Sequence, residues 1–212
     1  GDVRFFALDS NYMSPEQLQW LEKELKSAGS GWKIPFFHHP LYSSGEKHGA
    51  DAALREQLEP LFVKYGVDVV FAGHEHFYER IKPQKGIIHF VIGSSGQLRR
   101  GDIDRRSPLT DKGFDDDCAF MAVEISGDTL YFSTISRTGE VVEKRGEPGG
   151  LGGPARERVL EDLVVGRRGA QLGPEFGDGS DRQASVLGED CRVGGVEALG
   201  DLIDDGGLAL NL

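Results

Sequence analysis

Between Trp32 and Gly73 the chain reads as strand, helix, strand, and this unit constrains the fold more than any other feature. "WKIPFF" is a short apolar run stopped by His38, His39 and Pro40. After the polar loop "LYSSGEKHGAD", a helix starting at Asp51 presents Leu54, Leu58, Leu61 and Phe62 along one face. It stops at Gly66, and Pro60 is expected to kink or break it. "VDVVFAG" is then almost continuously apolar, as expected of a strand covered on both faces. Such a unit is right-handed with parallel strands, and ligand sites in parallel sheets gather beyond the carboxyl ends of the strands. His38 and His74 each follow such an end, so two histidine clusters are expected to face one crevice.

The segments on either side extend the pattern. "VRFFAL", Val3 to Leu8, reads as a strand entering a polar turn at Asp9, Ser10 and Asn11. Ser14 is placed to cap a helix, with Pro15 at its first position and Gln17 at capping-box spacing. Leu18, Leu21 and Leu25 share one face of that helix, and Gly29 ends it. Further on, "IIHFVIG", "CAFMAVEIS", "DTLYFSTIS" and "EVVEK" read as shorter strands separated by glycine turns and suit an antiparallel region. The fold class expected is α/β, a partial β-sandwich of mixed sheets flanked by helices.

Composition changes near Arg145. The last 68 of the 212 residues hold 16 of the 30 glycines and no lysine, histidine, tyrosine, tryptophan, threonine or methionine, and Phe176 is their only aromatic. Such a segment can build little core. Residues 1–144 are therefore expected to form the folded part, and 145–212 a Gly-rich tail of low order. A shifted reading frame or a fusion junction is a second reading of that tail. The first residue is Gly1 rather than methionine, so the chain reads as processed or as a piece, and its lack of a leader says nothing of compartment.

The formal charge of −11 argues against nucleic acid or an anionic membrane as a partner. It would also repel a phosphorylated substrate unless metal cations reversed the local field. No apolar run approaches the roughly 20 residues needed to span a bilayer. Two cysteines, Cys118 and Cys191, encode no disulfide framework.

Chemistry concentrates in the histidines. Five of the six, at 38, 39, 48, 74 and 76, fall within 39 residues. Neutral imidazole is a common ligand for zinc, iron and manganese. In "GHEH", Gly73 would let the backbone turn sharply after the strand, and alternate residues can send two rings toward one locus or two adjacent ions.

"FHHPLYSSG", followed some 35 residues later by "VDVVFAGHEHFYER", resembles the carboxy-terminal half of a calcineurin-like metallophosphoesterase, of the purple acid phosphatase branch. "RFFALDSN", "FVIGSSG" and "DTLYFSTISRTGEVV" are similar to that family as well, so the resemblance covers about residues 1–144. It implies a partial metallophosphoesterase sandwich, a phosphate ester as substrate, and two transition-metal ions (iron, zinc or manganese) in the complete family site. His38 and His74 would ligate one metal and His76 the other. His48 would bind substrate phosphate and act as general acid toward the leaving group. The chemistry suits those roles, since two cations about 3.5–4 Å apart can hold both attacking and leaving oxygens and supply hydroxide near neutral pH, while an imidazolium neutralises phosphate charge and donates a proton. A periplasmic or secreted parent is what the resemblance suggests.

The chain also departs from the family pattern. An Asp-x-His strand end, a Gly-Asp-x-x-Tyr segment with a bridging aspartate, and a Gly-Asn-His-Glu turn do not occur in it. Three imidazoles without that bridge do not complete a two-metal site, so a missing amino-terminal half is an expected partner. Two alternatives stand beside the hydrolase reading: a catalytically inactive truncated fragment, and a mononuclear zinc module using His38, His74 and His76 with one open position. Among the remaining residues, Asp9 is expected to be structural and His39 to support or face solvent rather than ligate. His89 is expected to be a satisfied sheet histidine, Glu75 to point away from metal, and Arg80 to pair with a carboxylate or cap the loop. Tyr42 and Tyr78 could border the pocket or pack. Asp115–Asp117 and the arginines at 99, 100, 105 and 106 are expected to be solvated loops.

Overall fold

A computed structural model describes residues 3–145 and 208–210. The strand–helix–strand unit forms as expected: β2 (Trp32–Phe37), α2 (Ala52–Tyr65) and β3 (Val69–Ala72), with β2 and β3 parallel. It sits at the centre of a six-stranded sheet completed by β1 (Val3–Ala7), β4 (Tyr78–Gln84), β5 (Ile87–Ile92) and β6 (Thr110–Phe114), in the order β1-β2-β3-β5-β4-β6. A second sheet holds β7 (Ala119–Ser126), β8 (Thr129–Ser136), β9 (Val141–Arg145) and β10 (Leu208–Leu210), in the order β10-β7-β8-β9, with every pairing antiparallel.

Strand alternation builds two apolar layers. Trp32 and Ile34 of β2 and Val69 and Phe71 of β3 face the second sheet, where Met121, Val123, Leu130 and Phe132 close the sandwich. Phe37 and Val70 point the other way, onto Leu21 and Leu25 of α1 (Pro15–Ser27) and Leu54, Leu58 and Phe62 of α2. A central strand flanked by a sheet and by helices has no polar face, which is why β3, "VVFA", carries apolar residues without a break.

Several expectations are corrected. β5, whose sequence suits an antiparallel region, runs parallel to β3 and antiparallel only to β4. β4 and β6 carry too many charged residues to announce themselves as strands, and they form because both pair along their length in the sheet. Pro60 neither breaks nor ends α2. Pro60 and Glu56, whose carbonyl loses its partner to the proline, both lie on the exposed face of the helix.

The start of α1 is a partial match. Ser14 Oγ accepts from the Gln17 amide. The Gln17 side chain, however, reaches past the cap to the Asp9 amide and carbonyl and the Tyr12 carbonyl, and so holds the β1–α1 turn. Gly66 ends α2 in the left-handed conformation at φ 66°, as the sequence suggested. The tail assigned to 145–212 lies outside the described residues except for Arg145, which belongs to β9, and Leu208–Leu210, whose pairing with β7 was not expected. No described helix is long and apolar enough to cross a membrane.

Candidate metal centre

The carboxyl ends of β2 and β3 are held side by side, with the Gly73 amide donating to the His38 carbonyl at 3.0 Å. The chain then turns through 73–77 by two short-range bonds, Glu75 amide to Gly73 carbonyl and Phe77 amide to Glu75 carbonyl. The residue that takes the left-handed conformation here is His74, at φ 67°, not Gly73. A non-glycine residue at positive φ is uncommon and marks stored strain. Its effect is to bring the His74 ring over the end of β2, with Nδ1 3.0 Å from His38 Nε2.

Around that pair the imidazoles converge. The His74 ring lies 4.9 Å from His38, 4.6 Å from His39 and 4.6 Å from His48, centroid to centroid. His38, His39 and His74 each offer a ring nitrogen, and these lie within 4.8 Å of one another. His39, expected to support or face solvent, is thus part of the cluster. Its Nδ1 lies 3.0 Å from Ser10 Oγ, which also accepts from the His39 amide.

His76 does not join that triad. The Arg99 guanidinium lies 3.3 Å from His76 Nδ1. Since Arg99 can only donate, Nδ1 accepts, and a neutral His76 then carries its proton on Nε2. A metal at Nε2 would require Arg99 to withdraw from Nδ1.

Burial, followed by the neighbouring imidazoles, lowers His74 to about 4. Burial and then His39 lower His38, and burial and then Arg99 lower His76. Neutral rings offer lone pairs, which is the form a metal takes. The donor set therefore fits a borderline transition ion such as zinc or iron. A cleft of about 430 Å³ opens beside the cluster, lined among others by His39, His48, His74, Lys47 and the start of α2 at Asp51 and Ala52.

Residues outside the histidines hold this arrangement. Glu75 is fully buried, with Oε1 accepting from the Gly49 amide and Oε2 3.6 Å from Arg99. Burial pushes it up to about 7. Arg99 also bonds Asp102 at 3.2 Å, so it is not the solvated arginine expected of a basic stretch. Glu79, buried one strand residue before Arg80, accepts from Ser43 and from the Ser44 amide at 3.0 Å each, anchoring the loop after β2.

Other assignments resolve into structural roles. Arg80 is buried and pairs with Glu143 and Asp111. Tyr78 packs in the sandwich and donates to Glu143 at 2.7 Å, and Tyr42 donates to Glu59. Asp9 accepts from the Asn11 amide in its turn. Asp115 was expected in a solvated loop but is buried against Arg105 and the Gly101 amide. His89 is buried, yet its Nε2 has no partner among the described residues.

Comparison with known proteins agrees with this geometry. Residues 2–78 match the family model of calcineurin-like phosphoesterases. Over those residues the chain is similar to calcineurin-like phosphoesterases. The chain is 44% identical over 80 residues to Fe(3+)-Zn(2+) purple acid phosphatase 12 of Arabidopsis thaliana, and 40% identical over 80 residues to a purple acid phosphatase of Glycine max. Each alignment covers 36% of this chain and 17% of the relative, so the chain spans a small part of the curated phosphatases it matches. The solved purple acid phosphatase PPD1 from yellow lupin (Lupinus luteus) seeds superposes with a TM-score of 0.59 at 25% identity, over 66% of this chain and 30% of that one. The phosphoesterase fold and the resemblance to purple acid phosphatases expected from "FHHPLYSSG" and "GHEHFYER" both hold.

Proposed function

We propose that this chain supplies the imidazole side of the active centre of a metal-dependent phosphoric ester hydrolase of the purple acid phosphatase type. The approach of His74 Nδ1 to His38 Nε2 at the parallel strand ends carries this reading. His38 and His74 would hold one ion, and His76, once free of Arg99, a second. Iron, zinc or manganese bound there would polarise the phosphoryl oxygens and supply an activated water near neutral pH.

The chain's own groups do the rest. His48 borders the open cleft beside His74 and would donate a proton to the departing alkoxide or phenoxide oxygen. Lys47, lining the same cleft, would help to offset the −11 charge of the chain as an anionic ester approaches. The described cluster contains imidazoles and no carboxylate. A bridging carboxylate of a two-ion site would therefore come from a partner segment, and turnover by this chain alone is not required by the reading.

A mononuclear site is the second reading, favoured by the mutual 4.8 Å reach of the His38, His39 and His74 nitrogens. Metal analysis after dialysis of the purified chain tests both. Retained zinc or manganese should be lost in His74→Ala; metal content unaffected by that substitution would overturn the proposal. Dependence on His76 with more than one ion per chain favours the dinuclear site, whereas dependence on His39 with one ion favours the mononuclear site. Hydrolysis of p-nitrophenyl phosphate by the metal-loaded chain, abolished in His76→Ala, would exclude an inert fragment.

A further inference from the structure

We infer that Glu75 is a positioning residue that ties the loop bearing His48 to the turn bearing His74 and His76. The inference rests on the reading of His48 as the leaving-group acid and goes beyond it, because it concerns what places that ring. Glu75 lies between the two turn histidines, its side chain fully buried beneath the 45–49 loop. The amide it binds belongs to the peptide joining His48 to Gly49, so the bond fixes the backbone immediately next to the His48 Cα.

The loop is shaped around the carboxylate. A Cβ on Gly45 would stand 2.5 Å from the Glu75 carboxyl carbon, so only glycine lets the backbone lie this close. Gly49 at φ 72° takes the left-handed conformation that aims its N–H inward. The loop has other anchors at its ends, the Glu46 amide on the Asp102 carbonyl at 2.8 Å and the Asp51 amide on the Pro40 carbonyl at 2.8 Å. Between them Glu75 is the side chain that grips the loop. Arg99 stands 3.6 Å from the same carboxylate while lying 3.3 Å from His76 Nδ1, so one buried acid connects the loop to the turn and to His76.

A buried carboxylate is costly unless its partners are in place. Here the loop amide serves Oε1, while Oε2 has no hydrogen-bond partner among the described residues and stands 3.6 Å from the Arg99 guanidinium. His48 itself is exposed, and the ring it touches is that of His74, 4.6 Å away between centroids.

Amide hydrogen exchange on the full chain, with zinc present, tests this without reference to turnover. In the parent the Gly49 amide should be among the slowest in the 43–51 loop; exchange at the unprotected rate would overturn the inference. Glu75→Met keeps the volume and removes the acceptor, and should speed Gly49 exchange about tenfold or more. Glu75→Gln keeps an acceptor oxygen and should restore protection to within about threefold of the parent. Equal loosening by Met and Gln, or none by Met, would overturn it. Zinc content should stay unchanged in both variants; its loss together with loop protection would show Glu75 to be a general support of the turn and defeat the specific role. If the parent hydrolyses esters, Glu75→Met should slow an alkyl phosphate more than p-nitrophenyl phosphate, because the poorer leaving group depends more on the acid. An inactive parent would count against the hydrolase reading and leave the exchange result standing.

Discussion

His74 Nδ1 and His38 Nε2 approach to 3.0 Å because His74 takes a left-handed backbone at φ 67° just beyond β3. The turn directs one ring across to the neighbouring strand end. Strain in the backbone and proximity of the two nitrogens are therefore one feature.

Replacing His74 should expose that strain. His74→Gly is expected to be more stable than His74→Ala by about 1 kcal/mol, since both lose the ring and only alanine keeps a Cβ at positive φ. Urea unfolding of the two metal-free variants measures the difference. Equal stability would mean that the turn relaxes when the ring is lost.

Gly93 should not tolerate a side chain. A Cβ there would collide with the Glu75 carbonyl, and the obstacle is backbone, which cannot rotate away. Gly93→Ala is expected to cost about 1–3 kcal/mol by overpacking and to reduce metal retention as the 73–77 turn shifts. Thermal unfolding and metal analysis on the same preparation would check both.

Arg80 has its partners inside the protein. Glu143 keeps little exposure and receives two Arg80 nitrogens along with the Tyr78 hydroxyl. Arg80→Met should therefore destabilise by about 3–5 kcal/mol, because the little-exposed Glu143 carboxylate loses its guanidinium. Adding Glu143→Gln should recover part of that loss. A double variant no more stable than Arg80→Met would point to lost packing instead.

His89 makes stability depend on pH. Burial lowers it to about 3, with Glu59 acting in the opposite direction and Arg55 in the same one. The unfolded chain takes up a proton near pH 6.5 that the folded chain refuses until about pH 3, so this contribution is full above pH 6.5 and declines as pH falls toward 3. His89→Phe keeps an aromatic ring beside Tyr42. It should reduce the stability lost between pH 7 and pH 5 by about 2 kcal/mol. Denaturation at the two pH values decides this, and an unchanged pH dependence would show that other groups cause it.

Much of this architecture could be read locally. The β2–α2–β3 unit follows from apolar runs, a helical face and the Gly66 stop, each set by neighbours in sequence. The histidines after two strand ends were legible for the same reason, because parallel pairing puts those ends together wherever the helix crosses over. β4 and β6 were not legible, since their stability comes from sheet partners rather than from alternation. The parallel course of β5 likewise depends on which strand it meets.

By itself the sequence determined the crossover unit, its capped helices and the gathering of imidazoles at one sheet edge. Only the tertiary structure decided which imidazoles face one another, that His39 stands with His38 and His74, that Arg99 occupies His76, and that Glu75 grips the loop of His48. Periodicity reports how a residue relates to its own strand or helix. The distance between two groups 26 or more positions apart, such as the Gly49 amide and the Glu75 carboxylate, is set by how loops close over the sheet.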